Sequence, residues 1–329
     1  MSLKSVLFLL VKALVAGAIC VWLLSRVDGA ALLASLSSAA PAPLAVGFAL
    51  CVAVLAIAAW RWRRLLGLFE IRASTGSLFS IVWIGQFFSM FLPGPLGDDA
   101  SRMVYISRIA PGRVGEACLS VVLDRGLGLC SVFALCLLAL PLQWKLLAAN
   151  VQTSLLAGAV FAMGAAVTVG GAAFLVFGRT SSASGLFHLF PEGKVRDELL
   201  RIWNLAASHK VVVIQVFIAA VVVQLLNCAI FWLAGLAVGI TLPLAAWINF
   251  VPIILAANIL PITIAGLGVR EYLVVLFLGV VGGVPHSQAM AASLLVFASM
   301  VAVSAAGGLV FVLYRVRGHS DRSQVAANK

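Results

Sequence analysis

Long apolar runs constrain this chain more than any other feature. Residues 6–24, 43–59, 117–140, 154–177, 211–238 and 288–314 are each apolar enough, and as helices long enough, to cross a ~30 Å hydrocarbon core, which takes about 20 residues. A water-soluble fold has nowhere to put so much apolar surface. The chain is 63% hydrophobic and only 10% charged, against about 25% charged in soluble domains. The expected fold class is therefore an all-α polytopic membrane protein, and a soluble enzyme is excluded.

Two shorter apolar segments behave differently. Segment 78–92 carries Ser80, Gln86 and Ser89 and stops at Pro93-Gly94-Pro95; segment 244–260 carries Asn249, Pro252 and Asn258 and stops at Pro261. Basic residues collect on the cytoplasmic side of membrane proteins. If both short segments turn back without crossing, every Lys and Arg except Arg26, Lys145, Arg125 and Arg270 falls on that side, out of 22 in all. Eight simple spans would put Arg102, Arg108 and Arg113 outside. The expectation is thus about six spanning helices plus two re-entrant helical hairpins, with both chain ends inside. No small-residue cleavage site clearly follows run 6–24, so it reads as a retained first helix and not a signal peptide.

Net charge is +11. The basic residues lie between apolar runs, so the expected partner is the anionic face of a bilayer and not nucleic acid. The six cysteines fall inside apolar runs without CxxC spacing and read as small buried residues. Within the cytoplasmic loop 178–210, Val195, Leu199, Ile202, Trp203 and Ala206 recur at helical spacing opposite Lys194, Arg196, Asp197, Glu198 and Arg201, which predicts an amphipathic surface helix. Residues 315–329 read as a cytoplasmic tail.

The stretches 92–102 and 260–270 share Leu, Pro and Arg without a gap: Leu92, Pro93 and Arg102 match Leu260, Pro261 and Arg270. Both follow a segment read as re-entrant. The chain then divides, within one transmembrane domain spanning 1–329, into halves 1–150 and 151–314, each with two spans, a break and a third span. Three spans is an odd number, so the halves are inverted repeats, an arrangement common in secondary transporters.

Charges at membrane depth cost several kcal/mol unless paired or hydrated, and they mark pathways. Asp98 and Arg102 are four apart and can pair on one helix face. Asp124 and Arg125 lie inside run 117–140; a static pair there is about as plausible as a functional one. Arg270 and Glu271 form the matching step in the second half. Guanidinium groups suit phosphate oxygens. Gly97, Gly266 and Gly268 allow close backbone approach, and Pro93, Gly94 and Pro261 break the helices. A lipid phosphate is the expected ligand. No HExxH, GxSxG or P-loop is present, and the histidines are scattered.

Three stretches resemble known motifs: Leu92-Pro93 to Gly97-Asp98-Asp99 and Arg102; Asp124-Arg125-Gly126-Leu127-Gly128; and Leu260-Pro261-Ile262 to Gly266-Leu267-Gly268-Val269-Arg270-Glu271. In this order and spacing they resemble the flippase-like family of the lysylphosphatidylglycerol synthase transmembrane region, over nearly the whole chain. Gly94-Pro95 and Asp98 depart from that family's usual pattern. The resemblance implies a multi-pass protein of the bacterial inner membrane, linked to moving phospholipids or lipid-linked sugars between leaflets. Larger members carry a cytosolic aminoacyl-transferase domain, which a short tail after 314 leaves no room for. The reading is a lipid translocator, with no enzyme activity and no cofactor, whose substrate-binding residues are Arg102, Arg270, Asp98, Asp124, Arg125, Glu271, Gly97, Gly266 and Gly268. Two alternatives stay open: an accessory scaffold in a lipid, hopanoid or glycan pathway, and a membrane-embedded transferase using a lipid-phosphate donor. Self-association as a homodimer is compatible with each.

Overall fold

The computed structural model describes residues 28–90, 96–139, 151–177, 194–259 and 268–327. Among them are eleven helices and no strand: α1 Gly29–Ser37, α2 Pro41–Leu68, α3 Thr75–Ser89, α4 Leu96–Ile109, α5 Val114–Ala139, α6 Val151–Phe177, α7 Lys194–Ser208, α8 Lys210–Ala237, α9 Leu244–Ile259, α10 Val269–Gly282 and α11 His286–Ala327. Four stretches are long and apolar enough to cross a membrane: Pro41–Leu68, Val114–Ala139, Lys210–Ala237 and His286–Tyr314. They coincide with four of the runs predicted from sequence. Run 154–177 lies within α6, and run 6–24 lies outside the described residues.

The outer surface fits lipid. On α8, Val211, Ile214, Ile218, Val222 and Leu225 are all exposed. Their spacing of three and four places them on one helix face. In water such a stripe would drive association; in a bilayer it is the ordinary outer face.

Local chemistry sets several boundaries. Pro41 starts α2, where its missing N–H costs nothing. The Ser74 hydroxyl accepts the Ser77 amide at 3.2 Å and caps α3. Asp28 caps α1 through the amides of Ala30 and Ala31. Helix α1 occupies the link between the first two apolar runs. Beyond the candidate span, which ends at Tyr314, residues 315–327 continue α11 as helix.

Helices α2 and α8 run antiparallel. The Ala40 amide donates to the Ala237 carbonyl at 2.8 Å at one end, Gly47 faces Leu233, and Arg64 reaches Gln215 toward the other end. Two pairs of short helices fold back on themselves inside this frame. In the first pair, Gly85 of α3 lies against Asp98 of α4, and Gly97 against Phe88. Tyr314 of α11 bonds Ser77 at 2.7 Å and packs on Tyr105 of α4, so both outer ends of this pair sit together. In the second pair, Phe250 of α9 stacks on Phe277 of α10 with ring centroids 5.8 Å apart, and Leu242 meets Gly282. The first pair opens beside Phe69 and Arg113. The second opens at the opposite end of the bundle, beside Ala40 and Ala237.

Packing crosses between these sets. Helix α11 lies against α3, where the Trp83 indole donates to the Val303 carbonyl at 2.8 Å. Helix α5 in turn lies against α9. One apolar core surrounds Trp247, Phe250 and Phe277; a second surrounds Trp62, Leu65, Ile81 and Ile106, and α5 contributes to both.

Candidate functional site

Charge inside this apolar frame gathers in two places. The larger is built by α2, α4 and α5. Asp124 lies ten residues into α5, about 15 Å along that 26-residue helix. Its Oδ1 accepts from Arg61 Nε at 3.1 Å and from Arg61 NH2 at 2.5 Å, and its Oδ2 accepts from Arg102 NH1 at 3.1 Å. Arg102 Nε donates to Asp98 Oδ1 at 2.9 Å. Arg125 NH2 donates to Asp98 Oδ2 at 2.6 Å and to Asp99 Oδ1 at 2.7 Å, and its Nε to the same Asp99 oxygen at 2.9 Å. The result is one alternating chain: Arg61, Asp124, Arg102, Asp98, Arg125, Asp99.

The chain of charges runs from a dry, buried end to an exposed one. Side chains of Arg61, Asp124 and Arg102 are 7%, 4% and 4% exposed, Asp98 and Asp99 are 15% and 20%, and Arg125 is 41%. The Trp62 ring lies 5.2 Å from the Arg102 guanidinium carbon and covers the dry end. Its own indole N–H is satisfied by Ser120 Oγ at 3.1 Å. Buried charges of this kind hold only when every partner is in place.

The smaller cluster lies at the start of α10. Arg270 Nε and NH2 both donate to Glu271 Oε1, at 3.0 and 2.5 Å. Glu271 Oε2 accepts the Gly268 amide at 2.6 Å, and Ser293 Oγ lies 3.4 Å from Oε1. Arg270 NH1 faces the Met300 sulfur at 3.6 Å, and the Phe297 ring centroid is 5.0 Å from the guanidinium carbon. Both charged residues are almost wholly buried. Gly268 has φ 86°, a backbone conformation that a side chain would strain.

These positions refine the sequence expectations. Asp98 and Arg102 pair as the spacing predicts. Asp124 and Arg125 bond to different partners, because consecutive residues on a helix point about 100° apart. At Gly97 a side-chain carbon would collide with the backbone of Phe88 and Ser89, so its bareness lets α4 close onto α3. Gly85 does the same against Asp98. Arg102 and Arg270 share no partner among the described residues. Pro93, Gly94, Pro261 and Gly266 lie outside those residues.

Two members of the larger cluster were missed from sequence as site residues. Arg61 read as a cytoplasmic residue because run 43–59 ended before it, yet α2 continues to Leu68 and carries Arg61 buried beside Trp62. Asp99 points away from Arg102 and toward Arg125. Among the described residues there is no group of three or more metal-ligating side chains.

A separate groove of about 700 Å³ lies where α7 crosses the end of the bundle. Glu116 ties this end together, accepting from Arg113 Nε at 2.6 Å and from Arg201 NH2 of α7 at 2.9 Å. Arg113 also donates to the Phe69 carbonyl at 2.7 Å. On α7, Ala206 and Ala207 are buried, while Asp197, Arg201 and Asn204 are exposed.

Apolar helices of spanning length around buried ion pairs define a multi-pass membrane protein. The chain belongs to the lysylphosphatidylglycerol synthase transmembrane region family, whose model matches residues 9–308. No curated protein matches the chain.

Proposed function

We propose that this protein moves a phosphate-bearing lipid headgroup between the leaflets of a bacterial inner membrane, while the acyl tails stay in lipid. The observation that carries this reading is the alternating ion chain from half-exposed Arg125 to buried Arg61, near mid-depth of α5. A structural role alone would be served by one satisfied pair. A graded series of guanidinium groups instead offers a phosphate successive partners that open one bond at a time.

The backbone arrangement supports the same reading. We take the α3–α4 and α9–α10 pairs as re-entrant hairpins of two inverted halves, 1–150 and 151–314. Their opposite openings and the antiparallel α2–α8 pair are what an in-plane two-fold axis would produce. The Arg102 and Arg270 clusters would then serve opposite leaflets. The cytoplasmic side is assigned to the end where Arg63, Arg64, Arg113, Arg201 and Lys210 gather. No catalytic step is part of this function.

Reconstitution into liposomes tests it. Tail-labelled phospholipid should cross faster in vesicles holding the purified chain than in protein-free vesicles, with the lipid recovered chemically unchanged. A new covalent lipid product would point to a transferase. Crossing no faster than in protein-free vesicles would contradict translocation by the chain itself.

A further inference from the structure

Each buried cluster carries no net charge among the described residues. Three arginines face three aspartates in the first, and Arg270 faces Glu271 in the second. The places best suited to an anion are also already taken. Asp98 and Asp99 lie in the first turn of α4, where the helix dipole favours negative charge. At the start of α10, the Gly268 amide is held by Glu271. Both sites are filled by the protein's own carboxylates.

A phosphate can therefore take the Nε–NH2 edge of Arg125 at two points only by displacing Asp99. For a headgroup with net negative charge the exchange is poor. It leaves the displaced carboxylate unpaired and adds charge to a low-dielectric site, where uncompensated charge is costly. A headgroup with a phosphate and an ammonium avoids both losses. Its phosphate takes the guanidinium, its ammonium takes the freed carboxylate, and net charge stays at zero. One ion pair becomes two.

From this balance we infer that the site is matched to a zwitterionic phospholipid headgroup, a phosphate beside a primary ammonium, and that Asp99–Arg125 is the pair it opens. The inference rests on the translocation reading above. Arg125 is the most exposed guanidinium of the chain of charges. It bonds Asp99 through Oδ1 alone in the described contacts. Opening this pair leaves Asp98 held by Arg102 and the dry Arg61–Asp124 end intact. A compact ammonium with three donors suits a single carboxylate.

The test compares tail-labelled phosphatidylethanolamine with tail-labelled phosphatidylglycerol in liposomes holding the full chain. The ethanolamine lipid should cross about tenfold faster. Asp99→Asn gives the cluster a net positive charge and should move the ratio toward the glycerol lipid by a similar factor, while Asp99→Glu keeps the charge and should keep the preference. Equal or faster crossing of the glycerol lipid in the wild type overturns the headgroup inference and leaves translocation standing. No crossing of either lipid overturns both. An ethanolamine preference unchanged in Asp99→Asn overturns the assignment to this pair.

Discussion

Arg61 and Asp124, 63 positions apart in sequence, form a two-point ion pair in which Nε and NH2 of one guanidinium share a single carboxylate oxygen at 3.1 and 2.5 Å. Both are buried, and the other oxygen of Asp124 holds Arg102. Asp124, on α5, thus joins Arg61 of α2 to Arg102 of α4.

Asp124→Asn should be strongly destabilising. It leaves Arg61 buried without a carboxylate and Arg102 with Asp98 alone, and breaking a buried pair from one side costs about 3–5 kcal/mol. Thermal unfolding of the detergent-solubilised protein should show a large fall in melting temperature. Arg125→Ala, at the exposed end, should cost about 1 kcal/mol or less and move it little. Equal falls would mean that burial does not grade this cluster.

Gly97→Ala should also lower the melting temperature, because the added carbon meets the backbone of Phe88 and Ser89 and not a side chain that could turn away. Overpacking of this kind costs about 1–3 kcal/mol. Gly67→Ala is the matched control, since open space surrounds that position; it should be neutral or slightly stabilising.

Arg201→Ala removes one of the two arginines that Glu116 holds. Hydrogen exchange across α7 should quicken, while the melting temperature of the bundle stays nearly the same, because a surface ion pair contributes little to global stability. Unchanged exchange in residues 194–208 would show that Ala206 and Ala207 dock the helix without Glu116.

The long helices were legible because only lipid accommodates their composition, and four of the expected runs lie, to within a residue at their ends, inside helices of spanning length. Helix α1 was not, since nine residues give too little periodicity and only Asp28 marks its start. The site was legible in part. The spacing of Asp98 and Arg102 fixes a same-face pair, and Arg270–Glu271 stood out as charge far from any loop. Arg61 was hidden by its company: beside Arg63 and Arg64 it reads as one more basic residue at a helix end. Its role comes from antiparallel packing of α2 and α5, which sets it against Asp124. Adjacency misled in the same way at Asp124 and Arg125, because neighbours in sequence diverge on a helix. The close contact of Gly97 with Phe88 was not legible, because it depends on how α4 folds back onto α3.

The central claim is that buried guanidinium groups pass a lipid headgroup through the bundle, and Arg102→Lys and Arg270→Lys test it most directly. Lysine keeps the charge against Asp98, Asp124 and Glu271 but loses the planar fork that holds two oxygens at once. The measurement is the rate at which tail-labelled phosphatidylethanolamine crosses in proteoliposomes, alongside melting curves that confirm folding. The account predicts rapid crossing with the wild type and a fall of about tenfold or more with each folded variant. Crossing at the wild-type rate by both folded variants would contradict it.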